Sequence, residues 1–171
     1  MTEHDIWSIP NVREVIDQAV AYVKTTYELT DADLNVRLGW SDDFDFVPSA
    51  VSGVGAQSAA QTYNNAWAVA ALANNDFRIT KIDKHYAVIF LGILQGNLGV
   101  TINFVEVQVG TKKVREYPGT IITSQLNNIF IAPDGIFAER TKPFRVRFNT
   151  SACPAASNAF PLIFVIERSG A

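Results

Sequence analysis

The stretch His85–Pro118, HYAVIFLGILQGNLGVTINFVEVQVGTKKVREYP, decides the fold class. Tyr86 to Leu94 is almost uninterruptedly apolar, and periodicity alone does not separate such a run from a buried helix. Composition does. Val88, Ile89 and Ile93 are β-branched and Tyr86 and Phe90 aromatic, side chains that fit a pleated surface. The run ends at Gln95-Gly96-Asn97-Leu98-Gly99, where glycine and asparagine tolerate the positive φ of a tight connection. The expectation is two long strands joined by that turn. The first is apolar on both faces, so it belongs at the centre of a sheet with cover on each side. Along the second, Val100, Ile102 and Phe104 share one face and Val105, Val107 and Val109 the other, which predicts a bulge or a change of sheet near Phe104.

Further strands follow. Leu34, Val36, Leu38 and Trp40 alternate with Asn35, Arg37 and Gly39, the pattern of a half-buried strand. Phe144, Val146 and Phe148 alternate with Arg145, Arg147 and Asn149, while Phe160–Glu167 is apolar on both faces like Tyr86–Leu94. Ile129-Phe130-Ile131 reads as a short strand stopped by a Pro133-Asp134-Gly135 turn, and Thr120 to Leu126 as a helical turn or an irregular crossing. The alanines of Ala59–Ala73 favour a helix, but Asn64-Asn65 and Asn74-Asn75 read as turn punctuation around a short strand, Trp67 to Leu72, which is the preferred expectation. Many short strands with turn residues between them, and no strand–helix alternation, give a mainly β protein: an antiparallel β-sandwich or barrel with one N-terminal amphipathic helix. That helix is expected over residues 8–28, where Val12, Val15, Ile16, Ala19, Val20, Val23 and Tyr27 recur every three or four positions. Asn11 with Glu14 offers a capping box, and Ser8 with Pro10 an alternative start. The helix either seals a sheet of its own chain or docks on a neighbouring subunit, with Trp7 just upstream. The expected organisation is a helix or arm over 1–30 and one sandwich domain over 31–171.

Composition narrows the function. At 171 residues the chain suits one domain. A net charge of −3 argues against a general nucleic-acid binder, and no apolar run reaches the roughly 20 residues that cross a bilayer. The opening MTEHDIWSIP lacks the apolar core of a secretory leader, so no secretion signal is expected. The single Cys153 leaves no intramolecular disulfide framework, and nothing in sequence supplies a base to activate it.

Candidate chemistry is sparse. Asp42-Asp43-Phe44-Asp45 lacks the ligand alternation and distal Glu of a calcium loop and reads as solvated turns. Gly53-Val54-Gly55, within the small-residue stretch 48–61, lacks the Lys-Ser/Thr ending of a phosphate loop. His4 and His85 have no zinc-ligand spacing, and Glu106, Glu116, Glu139 and Glu167 look like ordinary sheet-surface residues. No catalytic residue, cofactor or metal is assigned. Arg140, Lys142, Arg145 and Arg147, with Lys112, Lys113 and Arg115, form either a basic stripe for an acidic partner or a charged face that discourages edge-to-edge pairing.

The succession VQVGTKKVREYP, PFRVRFNTSA and FPLIFVIER resembles the single jelly-roll structural proteins of bacteriophage particles, small capsid subunits and the cement or decoration proteins on them. The resemblance spans roughly residues 77–168 and is one of strand order and texture. It implies a jelly-roll sandwich that performs no chemistry and acts by subunit contacts. Its partners would be further copies of itself and other virion proteins, without membrane or specific nucleic acid. The implied location is the virion, assembled in the host cytoplasm. On that basis Trp7, Val12, Val15, Val23, Arg145 and Arg147 are the candidate partner contacts. The alternative is a β-sandwich that binds a carbohydrate-type ligand through aromatics such as Trp40, Tyr63 and Trp67.

Overall fold

The structure, a computed structural model, describes residues 6–39, 43–48, 73–79, 85–95, 101–123, 129–152 and 159–170. The expectations for the 48–61 stretch beyond Pro48, the 67–72 strand and the 96–99 turn lie outside them, as do His4, Trp40, Asp42, Tyr63, Trp67 and Cys153.

Among the described residues, nine strands form two antiparallel sheets. Sheet A has the order β1 (Leu34–Leu38), β9 (Ala159–Arg168), β4 (His85–Gln95) and β7 (Ile129–Glu139). Sheet B has the order β2 (Asp45–Pro48), β3 (Ala73–Ile79), β8 (Phe144–Ala152), β5 (Thr101–Val109) and β6 (Lys112–Pro118). Helix α1 (Pro10–Tyr27) precedes them, and a short α2 (Gly119–Thr123) follows β6. The chain returns repeatedly from one sheet to the other, and strands far apart in sequence become neighbours. This is a jelly roll.

Central position follows from two-sided burial, as expected for β4 and β9. They pair with each other in the middle of sheet A, and every residue from Ala87 to Ile93 except Gly92, and from Leu162 to Ile166, is at most 2% exposed. The face of sheet A turned toward sheet B carries Phe90, which stacks on Tyr117 of β6 with ring centroids 6.1 Å apart. Sheet B contributes Phe77, Phe144, Val146 and Phe148 to the same interior, with Phe77 edge-on to both Phe44 and Phe148.

Three local expectations are corrected. β4 and β5 do not pair as the two strands of a hairpin: β4 lies in sheet A and β5 in sheet B. β4 finds its hydrogen-bonding partners in β9 and β7, one on each edge. The second correction concerns Pro133-Asp134-Gly135, which does not end a strand. β7 runs through it, and the register jumps from Gly92↔Ile131 to Phe90↔Ile136. Residues 132–135 therefore bulge opposite Leu91 alone, a distortion tolerated because β7 is an edge strand and Pro133 needs no ladder partner there. Third, neither expected cap starts α1. Its N-cap is Ile9, without a side-chain cap, and Pro10 occupies the first turn, where its missing N–H costs nothing. The change of face on β5 is real and is a bulge: the register with β8 shifts between Ile102 and Phe104, and Ile102, Val105 and Val107 are all buried.

Helix α1 lies on the outer face of sheet A, over β4 and β7. Val12, Ile16, Ala19 and Val23 are buried beneath it and belong to the same hydrophobic core as the strands. Three aromatic pairs fasten it: Trp7 to Phe164, Tyr22 to Phe137 and Tyr27 to Tyr86, with centroids 5.1–5.2 Å apart.

Candidate functional site

Charged side chains gather in two clusters, one per sheet. On β1, β9 and β4, register places Asn35 and His85 directly opposite Glu167 on either side. Parity from Phe90 through Val88 and Val165 puts this trio on the inward face, at one end of the sandwich. Arg37 donates to both oxygens of Asp43 at 2.8 Å and, through Nε, to Glu167 at 2.9 Å. Arg37 Nη2 gives Glu167 a second bond at 3.1 Å, and Asn35 Nδ2 adds a third at 2.9 Å. The bonds to Asp43 hold the Arg37 guanidinium above its ordinary pKa range, against the burial that lowers it and with further help from Glu167. His85 sits 3.6 Å from Asp43 and 3.7 Å from Glu167, and its Nδ1 is buried without a hydrogen bond. Sequence reasoning placed Glu167 on a sheet surface and Asp43 in a solvated turn. Their side chains are only 10% and 9% exposed, because Arg37 supplies the countercharge that lets both leave water. The one legible sign was Glu167 closing a strand otherwise apolar on both faces.

The second cluster covers the outer face of sheet B. One cross-strand row holds Asp45, Arg78, Arg145, Gln108 and Lys113; the next holds Asp76, Arg147, Glu106 and Glu116. Asp76, 2% exposed, accepts two bonds from Arg147 at 2.7 and 3.0 Å and one from Arg78 at 2.9 Å. Burial alone pushes the Asp76 carboxyl up, but the arginine hydrogen bonds and charges outweigh it and leave the group below the usual range. Arg145 reaches Glu106 at 3.2 Å, and Lys113 bonds Glu116 at 2.7 Å. Arg145 and Arg147 thus reach carboxylates of their own chain, and β5 separates them from β6, so they do not form the expected stripe with that strand. β8 is moreover central in its sheet, so they guard no edge. Lys112, Lys113 and Arg115 do lie on an edge strand, β6, where charge discourages pairing with another chain.

The hydrophobic candidates are also accounted for within the chain. Val12 and Val23 are 2% and 0% exposed under α1, so they have no surface to offer a partner, which corrects their assignment. Trp7 is half-buried on Phe164, and Val15 is half-buried over Gly135. Sequence periodicity identifies the apolar face of a helix but not which chain covers it.

Between α1 and β7 a groove of about 550 Å³ remains, floored by Val15, Ile89 and Phe137 and rimmed by Asn11, Gln18 and Asp134. Its size falls in the range of small-ligand clefts. Tyr22 closes one end by donating a hydrogen bond to Glu139, which raises the phenol's pKa. Among the described residues, no group of three His, Cys, Asp or Glu side chains is placed to hold a metal ion.

Strand order and helix together define a jelly-roll β-sandwich with an amphipathic helix packed on one sheet. No family model matches the chain, and no curated protein matches it. Among solved structures, a carbohydrate-binding module, CBM36, in complex with calcium and xylotriose is similar at 7% identity and a TM-score of 0.27, over 76% of this chain and 98% of the other.

Proposed function

We propose that the protein is a non-enzymatic structural protein of a virus particle, a capsid subunit or a cement protein, acting through contacts between jelly-roll subunits. The supporting observation is the strand order, β1-β9-β4-β7 facing β2-β3-β8-β5-β6, an architecture that viral capsid proteins and lectin domains use. A fold hosts many functions, so the proposal draws also on the surface. Charge on β6 discourages strand-to-strand pairing, so contact would use exposed apolar side chains beside it: Val114 of β6, 47% exposed, and Ile121 of the adjoining α2, 46% exposed.

A second reading, a carbohydrate-type binding module, draws on the groove beside α1, where carboxamides and carboxylates rim an apolar floor. One experiment separates the two. The full chain is weighed by sedimentation across micromolar to millimolar concentration and mixed with purified virus particles and with a glycan array. Discrete oligomers or particle capture are expected. A strict monomer that ignores particles but binds glycans, with binding lost in Gln18→Ala, would replace the first reading with the second.

A further inference from the structure

Arg78 on β3 stands directly opposite Arg145 on β8, and Gln108 on β5 stands opposite Arg145 on its other side. Like charges in directly opposed positions destabilise a sheet. Asp45 on β2 stands opposite Arg78 on its other side, so across the two rows four cations, Arg78, Arg145, Arg147 and Lys113, meet four carboxylates, Asp45, Asp76, Glu106 and Glu116. Asp76 is already engaged by both Arg147 and Arg78, and Arg145 Nη1 comes no closer to it than 3.9 Å. Arg78 Nε and Arg145 Nε are left closed to solvent with no hydrogen-bond partner. Unmade donors of this kind are expensive, more so on a charged group.

The same two arginines, with Gln108, Gly110, Pro143 and Phe144, line a recess of about 150 Å³ on the outer face of sheet B. Its far wall is fixed, because the Gly110 N–H donates to the Pro143 carbonyl at 2.8 Å and so ties the β5–β6 turn to the start of β8.

We propose that this recess is a binding site for a phosphate-sized oxyanion, held between the Arg78 and Arg145 guanidiniums with the Gln108 carboxamide as a further donor. Two features converge on it: the opposed like charges and the unpartnered N–H donors. An oxyanion relieves the first directly. Turning either guanidinium toward the recess gives the second its acceptor, and planar guanidinium edges suit the paired oxygens of such an anion. The site is separate from the contact surfaces invoked above, so it stands whether or not the virion reading does.

Inorganic phosphate is the probe, titrated calorimetrically into the full chain, with sodium chloride of equal ionic strength as control. Saturable binding is expected, with a melting midpoint raised by about 3–6 °C at ten times Kd. Arg78→Gln and Arg145→Gln should each weaken phosphate binding at least tenfold, while Lys112→Gln, outside the recess, leaves it unchanged. Arg78→Gln removes one of the opposed charges and leaves Asp76 its two bonds from Arg147, so this variant folds and melts, without phosphate, close to the parent. A phosphate response no larger than that of chloride overturns the proposal, as does one that survives both arginine substitutions. Tighter binding of a homopolymeric oligonucleotide than of phosphate, lost with the same substitutions, also overturns it by making the surface a nucleic-acid contact.

Discussion

Replacing Gly135 by alanine tests whether α1 packs on its own chain. A Cβ at this position would lie 2.3 Å from Val15 Cγ1 and 3.4 Å from Ile89 Cγ2. The first distance is far inside van der Waals contact, so α1 must lift or Val15 must leave its rotamer. Overpacking of this kind costs about 1–3 kcal/mol. For a chain of this length each kcal/mol lowers the melting midpoint by about 2–4 °C. The expected loss is therefore about 2–12 °C, measured by circular dichroism and checked by urea titration. The diagnostic step is the double variant. Val15→Ala alone removes methyl groups from a half-buried site and costs about 1 kcal/mol. In the Gly135→Ala background it also removes the atom in conflict, so the double variant should be more stable than the sum of the singles by about 1 kcal/mol or more. Additive effects, or a Gly135→Ala protein as stable as the parent, would refute packing in cis and return α1 to a role on a neighbouring subunit.

Two further predictions concern the body of the molecule. Ile16→Ala, at a position with no exposed surface under α1, should lose about 2–5 kcal/mol in urea denaturation without changing the oligomer's mass at a given concentration; unchanged stability with a smaller oligomer would contradict it. Asp76→Asn should lose about 3 kcal/mol at neutral pH, near the lower bound for breaking a buried pair, because its arginine partners keep 23–38% of their side-chain surface in water. The Asp76 carboxyl is held below its unfolded value, so its contribution is complete above about pH 3.9 and fades as pH falls through the lower folded value. Acid unfolding of the asparagine variant should accordingly be less steep below pH 4, and an unaltered acid limb would count against the arginine cage.

Alternation and composition along the chain determined most of the secondary structure. They located the strands Leu34–Leu38, Tyr86–Leu94, Phe144–Phe148 and Phe160–Glu167, and the apolar stripe Val12, Ile16, Ala19, Val23 on a helix. These are local properties: a side chain's face is set by its own backbone period, 2 in a strand and 3.6 in a helix. Two-sided apolarity even placed β4 and β9 at the centre of a sheet, since a strand with no polar face must be covered twice. Partnership was not legible. Whether β4 pairs with β5 or with β9 depends on which apolar face can be buried against which, over a separation of some seventy residues, and the Gly/Asn connection fits either outcome. Pro133-Asp134-Gly135 carries the same residues whether it turns a strand or bulges it, and only the register against β4 chose the bulge. The charged clusters were hidden for the same reason. Arg37, Asp43, His85 and Glu167 come from three strands and the segment before β2, and Asp76 meets Arg145 and Arg147 only because β3 lies beside β8. Sequence identified the charges and their faces; the pairing of distant strands decided which of them are neutralised, and left Arg78 facing Arg145.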